Sequence, residues 1–402
     1  MSKRGSADLP LHYGKVPEWL AQRMSRLGGA IAEAIVWEYG RDMLLRKLSD
    51  PFWFQSLGCV LGMDWHSSGI TTSVMGALKG ALNRRSPELG IYVCGGRGKY
   101  SLQTPAELMA IGNKTGIDAT QLVYNSKLAA KVDNTAVQDG FQLYLHSFIL
   151  TVEGDWAVVQ QGMNTDSRLA RRYHWHAPSV TSFTEQPHEF IYGKNQGTIL
   201  NLTDVQAAAA KSGMLSLVKE KPVKVMEEIT RLVMPAHHDV RSKDVNLQRL
   251  GSVLALAHEQ HCADFESLLL LQGVGPRTIQ SLALVSEVIH GAPVRFRDPA
   301  RFSFAHGGKD GHPFPVPEKI YDETISILET SVHKAKIGAT EKSEALKALA
   351  RTAQQLEKSF TPNDRFEEWV AEERKESWKY GGRTVSGKEK PPGEGIQQLS
   401  LF

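Results

Sequence analysis

Side chains able to transfer a proton or to stabilise a developing charge occur in the turn GMDWHSSGIT, between two apolar helical stretches. Asp64, His66 and Ser67 stand close together there. Such a turn could hold an acid, a base and hydrogen-bond donors around a nucleotide that is flipped out of its duplex. The alternative is a helix-capping turn, in which the side chain of Asp64 or Ser67 accepts from backbone N–H groups. The sequence leaves both interpretations open.

The segment NSKLAAKVDNTAVQDGF carries two lysines and two aspartates near the end of a predicted helix. Lys127 and Lys131 are four residues apart and share a helix face. A lysine amine could attack a sugar, and a carboxylate from Asp133 or Asp139 could stabilise the positive charge that develops on it. A solvated helix face is the alternative. Asp298, in RFRDPARF, is a further candidate carboxylate.

Amides, guanidinium groups and rings alternate in WAVVQQGMN and in RLARRYHWH. Amide side chains read base edges, arginines hold phosphates, and aromatic rings stack on bases. The pattern is typical of a nucleic-acid surface that lies beyond the end of a strand, and a polar loop beside a sheet is the alternative. The candidate DNA-contacting residues are Gln160, Gln161, Asn164, Arg171, Arg172, Tyr173 and His174.

The histidines do not have the spacing of a metal site. His174 and His176 are two residues apart, with no further cysteine or histidine partner. The sequence also has no P-loop. We therefore expect neither a metal ion nor a cofactor.

The stretch DFESLLLLQGVGPRTIQSLALVSEVI predicts two helices joined by a glycine turn. Glycines permit a tight turn and the close approach of a phosphate, which the N–H groups of the second helix then attract. The pattern resembles the helix-hairpin-helix of DNA-repair proteins, and the resemblance implies binding to double-stranded DNA without sequence preference. The residues concerned are Gly273, Gly275, Pro276, Arg277 and Thr278. An αα-hairpin that binds nothing is the alternative.

The last residues of the sequence are apolar and follow a tether rich in glycine, proline and charge. Exposing such side chains on a disordered segment is unfavourable unless a partner covers them. QLSLF resembles the pentapeptide by which bacterial replication and repair proteins bind the sliding clamp. The resemblance implies clamp contacts from Gln398, Leu399, Ser400, Leu401 and Phe402. A tail that folds back on its own protein is the alternative.

The composition is that of a globular protein, with 41% hydrophobic and 23% charged residues among 402. The net charge of +3 excludes a strongly basic nucleic-acid coat but not a local basic face. Three cysteines without a CxxC pair indicate a reducing compartment. The N-terminus lacks the apolar core of a secretory signal, and no apolar run approaches the roughly 18 residues of a membrane span. We expect a cytoplasmic, nucleoid-associated protein that does not contact membranes.

The periodicity of apolar residues predicts an α+β fold, mostly helical, with a helix-hairpin-helix and one small antiparallel sheet. The run from Phe141 to Val152, the turn EGD and the returning WAVVQQGM predict a β-hairpin. A final helical stretch runs from about Glu318 to Ser359 and breaks near Gly338. We expect an α+β domain over residues 1–200, a helical DNA-binding domain over 201–360, and a flexible tail over 361–402.

The segments LGMDWHSSGITT, AKVDNTAVQDGFQLY, WAVVQQGMN, RRYHW and FSFAHGGKDG together resemble a prokaryotic family known as a domain of unknown function. The resemblance covers most of the chain, to about Pro362. Archaeal relatives include a hydroxymethyluracil DNA glycosylase, so the resemblance implies excision of a modified base such as an oxidised pyrimidine. It transfers no catalytic residue. The likeness to helix-hairpin-helix glycosylases is confined to the hairpin, and Asp298 lies a few residues further from it than their catalytic aspartate.

Three functions are compatible with these observations. A DNA glycosylase, with or without lyase activity, would flip a base and stabilise a positively charged sugar. A structure-specific nuclease would need clustered carboxylates for metal ions, and the sequence shows no compact cluster. The third is a non-enzymatic DNA-binding partner of the clamp. Resistance to EDTA separates the first from the second, and any base or strand product excludes the third.

Overall fold

The computed structural model of the protein describes residues 9–10, 16–63, 68–231, 247–300 and 318–359. Helices account for most of them, and the strands pair in antiparallel fashion. The predicted α+β class, mostly helical, is therefore confirmed. The helices before the main sheet are α1 (Glu18–Tyr39), α2 (Arg41–Ser49), α3 (Pro51–Val60), α4 (Gly69–Leu82) and α5 (Ser86–Leu89).

The remaining helices follow in two groups. Two of them, α6 (Thr104–Thr115) and α7 (Ala119–Lys131), precede the central strands. The others are α8 (Ala208–Lys219), α9 (Pro222–Arg231), α10 (Leu247–Glu259), α11 (Phe265–Leu270), α12 (Pro276–His290), α13 (Glu318–Lys334) and α14 (Ala339–Ser359). The break predicted near Gly338 separates α13 from α14.

The main sheet has six strands and is larger than the small sheet predicted. Its strands are β1 (Leu9–Pro10), β2 (Ile91–Arg97), β4 (Gln142–Thr151), β5 (Trp156–Asn164), β6 (Leu169–His176) and β7 (Phe190–Tyr192). The order is β1-β6-β5-β4-β2, and β7 also pairs with β6. The predicted β-hairpin is the β4–β5 pair, and it continues directly into β6.

A second, three-stranded sheet consists of β3 (Val137–Gln138), β8 (Thr198–Asn201) and β9 (Arg295–Arg297). Its register places Ile199 of β8 opposite Phe296 of β9. Because β9 follows α12 in sequence, this sheet connects the helical hairpin region to the first half of the chain.

Helices cover both faces of the main sheet. On one face, Phe148, Val158 and Trp175 pack with residues of α7, α8, α10, α11 and α12. On the other face, Ile149 and Val159 pack with residues of α1 to α4, α13 and α14. Each layer therefore combines elements from before and after residue 200, and the predicted division into domains at that point remains a prediction.

Strand register determines which polar side chains share a face. His146, Gln160 and Tyr173 lie opposite one another on β4, β5 and β6, and the adjacent row carries Gln161 and Arg172. Successive residues of a strand point to opposite faces, so the two rows belong to different helical layers. Among the described helices, none has the length and apolar content needed to cross a bilayer.

Candidate functional site

The helix pair α11–α12 forms the tight glycine turn that the sequence predicts. Val274 N–H donates to Leu271 O at 3.2 Å, and Thr278 N–H donates to Gly275 O at 3.0 Å. Gly273 has φ +84°, a left-handed conformation that favours glycine. The turn therefore depends on Gly273 for its own geometry.

The geometry of the turn does not require a glycine at Gly275. Its φ of −145° is accessible to any residue, and a Cβ added there would have no atom of the described chain within 4 Å. The open space lies at the N-terminus of α12, which no side chain of the described residues caps. Pro276 and Arg277 are exposed beside it, whereas Thr278 is buried. This side of the turn combines free space, a helix N-terminus and a cation.

Two side chains anchor the turn to the segment that follows α7. Lys131 Nζ donates to Val274 O at 2.5 Å, and Gln138 Nε2 donates to Pro276 O at 2.8 Å. Burial lowers the pKa of the Lys131 amine. Lys127, one turn earlier, is exposed. Of the two predicted lysines, the structure brings only Lys131 into contact with the hairpin.

A π-helical turn, Val132–Ala136, lies between those two anchors and carries Asp133. Such turns recur at functional sites. The Asp133 carboxylate is fully buried. Its Oδ2 accepts from Gln160 Nε2 at 2.5 Å and from Trp175 Nε1 at 2.9 Å, and its Oδ1 is in short contact with His188 Nε2.

The hydrogen bonds continue from Gln160 into the sheet. Gln160 Oε1 lies 2.9 Å from His146 Nδ1, and His146 Nε2 lies 2.8 Å from Ser126 Oγ. Since Gln160 donates its amide to Asp133, its oxygen must accept from Nδ1–H of His146. His146 Nε2 then accepts from the Ser126 hydroxyl. Burial lowers the pKa of His146, which favours this neutral form.

A second buried cluster surrounds Arg171. Its guanidinium donates to Asp139 at 2.7 Å and to both oxygens of Asp298, at 3.0 and 2.7 Å. Tyr173 Oη also donates to Asp139, at 2.7 Å. Burial raises the pKa of Asp139, although Arg171 opposes that shift. Two of the predicted carboxylates, Asp139 and Asp298, therefore bind one internal cation.

Arg172 lies on the opposite face and has different neighbours. Its guanidinium donates to Gln55 Oε1 at 2.8 Å and packs on the rings of Phe54 and Tyr192. Burial lowers the pKa of Arg172 to about 10. Thr71 accepts from Arg172 at 3.3 Å and is also in short contact with Gln161.

The expected nucleic-acid surface beyond the end of a strand is corrected by these positions, because six of its seven residues are buried. Gln160 and Gln161 are inside β5, and Arg171 to His174 are inside β6. Helices cover both faces of the sheet, so these polar side chains bond to internal partners instead of reaching solvent. A loop starts only after Asn164, whose Oδ1 accepts from Asp166 N–H at 3.0 Å. His174 Nδ1 lies 3.0 Å from Leu48 O.

Two predicted sets lie outside the described residues. They are Asp64 in the DWHS turn and the clamp-binding peptide, Gln398 to Phe402. Ser68, the first described residue after that turn, accepts from Gln161 Nε2 at 2.9 Å through its backbone oxygen.

The sequence reasoning missed His188. It precedes β7 by two residues, in a stretch that reads as an ordinary strand start. Its partner Asp133 is 55 positions away in the chain. A histidine with no local partner carries no periodic signal, so only the fold reveals this pair.

A groove between described residues lies elsewhere, between α1 and α4. It encloses about 820 Å³. Its cations Arg85 and Arg26 are paired, with Glu33 and Glu341 respectively. The groove does not touch the hairpin or Asp133.

The fold and this site define a sheet protein with two helical layers and an exposed glycine hairpin anchored beside a buried polar cluster. Residues 5–316 match the family described as a protein of unknown function (DUF763), and the chain belongs to that family. Comparison with curated proteins and with solved structures finds no match.

Proposed function

We propose that the protein is a DNA-repair enzyme that binds duplex DNA through the α11–α12 hairpin and excises a damaged or modified base. The observation that carries this proposal is the anchoring of the hairpin. Lys131 precedes the segment that contains Asp133, and Gln138 follows it. Each of the two side chains donates a hydrogen bond to a backbone carbonyl of the hairpin. A phosphate bound at the turn would therefore lie close to the polar cluster.

Three features of the hairpin support the proposed binding of a phosphate. An uncapped helix N-terminus presents N–H groups and a partial positive charge, and Arg277 adds a full one. The open space at Gly275 would let a phosphate approach the backbone closely. Such contacts orient a duplex without reading its sequence.

The chemistry assigned to this site is cleavage of the bond between a base and its sugar. Positive charge grows on the sugar as that bond breaks, and the negative charge of Asp133 would favour it. If the enzyme also cleaves the strand, Lys131 is the amine for a Schiff base at C1′. Its pKa is lowered by burial, so a larger fraction is neutral than for an exposed lysine. Asp139 and Asp298 are assigned to folding, since both bind Arg171.

A panel of modified-base duplexes tests the proposal. The wild-type protein is incubated with each duplex in EDTA, and alkali then converts any abasic site into a strand break. We expect a break at one class of modified base, with hydroxymethyluracil among the duplexes tried, and slower release by Arg277→Ala at subsaturating protein. The exposed neutral Gln272→Ala is the matched control. Strand cleavage only with added magnesium or manganese would show that the protein is a nuclease instead. If no duplex yields a product, the excision proposal fails and the remaining function is that of a non-enzymatic DNA-binding partner of the clamp.

We also propose that the sequence QLSLF binds a sliding clamp. The support is the match of Gln398 to Phe402 to the clamp-binding pentapeptide at the end of a glycine- and proline-rich stretch. Such a tether would let the rest of the chain reach DNA that the clamp encircles.

A further inference from the structure

His188 is held in an orientation that suits proton transfer. Its Nε2 is in short contact with Asp133 Oδ1, and its ring packs edge-on against Trp175, with ring centres 4.7 Å apart. Because a carboxylate accepts hydrogen bonds, Nε2 carries the proton and Nδ1 carries the lone pair.

The Asp133 carboxylate cannot rotate away from His188. Its other oxygen accepts from both Gln160 and Trp175. Gln160 is in turn fixed by His146, which is bonded to Ser126. The chain of bonds from Ser126 to His188 therefore fixes both the ring and its tautomer, in the way that a carboxylate orients a catalytic histidine.

The second nitrogen of His188 has no partner among the described residues. Nδ1 makes no hydrogen bond there and is not fully buried. The side chain as a whole is only 6% exposed. A buried ring with one accessible lone pair is suited to take a proton from a bound water.

The backbone before His188 is constrained as well. Gln186 has φ +43°, a left-handed conformation that is strained for residues other than glycine. Its N–H donates to Thr203 O at 2.8 Å, and Lys211 Nζ donates to Thr184 O at 2.7 Å. Strained residues that the surroundings hold in place occur often at active sites.

We propose that His188 is the general base of this site and that Asp133 is its positioning residue. The inference rests on the proposed base excision. Water gives a proton to His188 Nδ1 as its oxygen forms a bond to C1′ of the flipped nucleotide. The bond between C1′ and the base breaks, and the base leaves with the electron pair. The imidazolium, stabilised by Asp133, then returns the proton to the base or to solvent.

Substitutions at His188 test this role against a purely structural one. His188→Gln can still donate to Asp133 but has no basic nitrogen. We expect it to keep the melting temperature and the DNA affinity while base release in single turnover falls about a hundredfold or more. His188→Ala should lose the same activity and regain part of it in added imidazole. His176→Ala, at the end of β6, is the matched control and should release base at the wild-type rate.

The outcomes separate this inference from the proposed function. If the wild type releases base and His188→Gln releases it equally fast, His188 is not the base and the proposed function stands. If His188→Ala loses activity but imidazole restores none, and the melting temperature falls, the role is structural. If the wild type releases no base from any duplex, the proposed function fails and this role fails with it.

Discussion

Neighbouring arginines in β6 are stabilised in two different ways. Arg171 has two carboxylates, Asp139 and Asp298, which raise its pKa against the effect of burial. Arg172 has aromatic rings and neutral acceptors, and its pKa is lowered by burial. Removing one partner of a buried ion pair leaves a charge without compensation, which is costly. These residues therefore matter first for folding.

Asp298→Ala tests that assignment. Asp298 accepts from Arg171 and from the backbone N–H groups of Gln196 and Ala300, at 2.6 and 2.9 Å. Its loss should lower the free energy of unfolding by about 3–5 kcal/mol. Urea unfolding followed by circular dichroism measures the change, and the exposed Asp166→Ala is the control. Unchanged stability together with lost base release would instead make Asp298 catalytic.

Acid should destabilise the protein through its buried histidines. Burial lowers the pKa of His146 and, more strongly, that of His174. As the pH falls below the ordinary histidine pKa of 6.5, the unfolded chain takes up protons that the folded chain refuses. The stability present above pH 6.5 is thus lost on acidification, by roughly 1.4 kcal/mol per pH unit for each histidine until its folded pKa is reached.

The slope of unfolding free energy between pH 7 and 5 measures this effect. His146→Gln should have a shallower slope than the wild type, whatever its stability at pH 7. His333→Gln replaces an exposed side chain of α13 and should leave the slope unchanged. Equal slopes for all three proteins would show that His146 takes up its proton in the folded state as readily as in the unfolded one.

The two glycines of the hairpin have different roles, since Gly273 is needed for the turn itself and Gly275 for the proposed approach of a phosphate. Gly275→Ala introduces a Cβ into open space, so it should leave stability unchanged or raise it by about 0.4–1 kcal/mol. The same Cβ should obstruct a phosphate and weaken binding to every duplex. Gly273→Ala should destabilise the turn by roughly 1–2 kcal/mol, because Gly273 has φ +84°. Fluorescence anisotropy with two unrelated duplexes measures the binding.

Arg277→Ala tests the electrostatic contribution of the hairpin to the proposed DNA binding. Loss of one phosphate contact should reduce the slope of log affinity against log salt by about one unit. Gln272→Ala should keep the wild-type slope. If Gly275→Ala and Arg277→Ala both bind DNA as the wild type does, the hairpin is a structural αα-hairpin and the DNA surface lies elsewhere.

Local signals in the sequence predicted the elements well and the buried site poorly. The glycine hairpin, the β4–β5 pair and the break near Gly338 are encoded within short windows, so their residues sufficed. The burial of Gln160 and Arg171 depends on helices that come from distant parts of the chain and cover both faces of the sheet. Pairs such as His188 with Asp133 depend on long-range register, which periodicity does not encode.

In the whole molecule, the two helical layers enclose the main sheet, and the hairpin belongs to one of them. The C-terminal helices α13 and α14 pack on the opposite layer, with Leu328 and Leu349 in its core. In the proposed function the tail binds a clamp while the hairpin holds DNA. Binding to both partners at once would raise the affinity of the tail through effective concentration.

Removal of residues Gln398 to Phe402 tests the clamp proposal. The truncated protein should lose clamp binding in calorimetry and keep its base-release rate on short duplexes. The isolated peptide should bind in about the micromolar range, because ordering a flexible segment offsets much of the contact energy. The Leu401→Ala, Phe402→Ala double variant is the matched control, because it removes two apolar side chains without shortening the chain. Clamp binding that is equal for the truncated and the full chain would contradict the proposal.

Detection of a free base directly tests the proposed excision beside the hairpin. The wild type is incubated in EDTA with a duplex that carries one modified base, and the small-molecule fraction is analysed by mass spectrometry. We expect one equivalent of free base per duplex at saturating protein, and a large loss of it in His188→Gln. An intact base in every duplex, with the protein folded and bound to DNA, would rule out this excision.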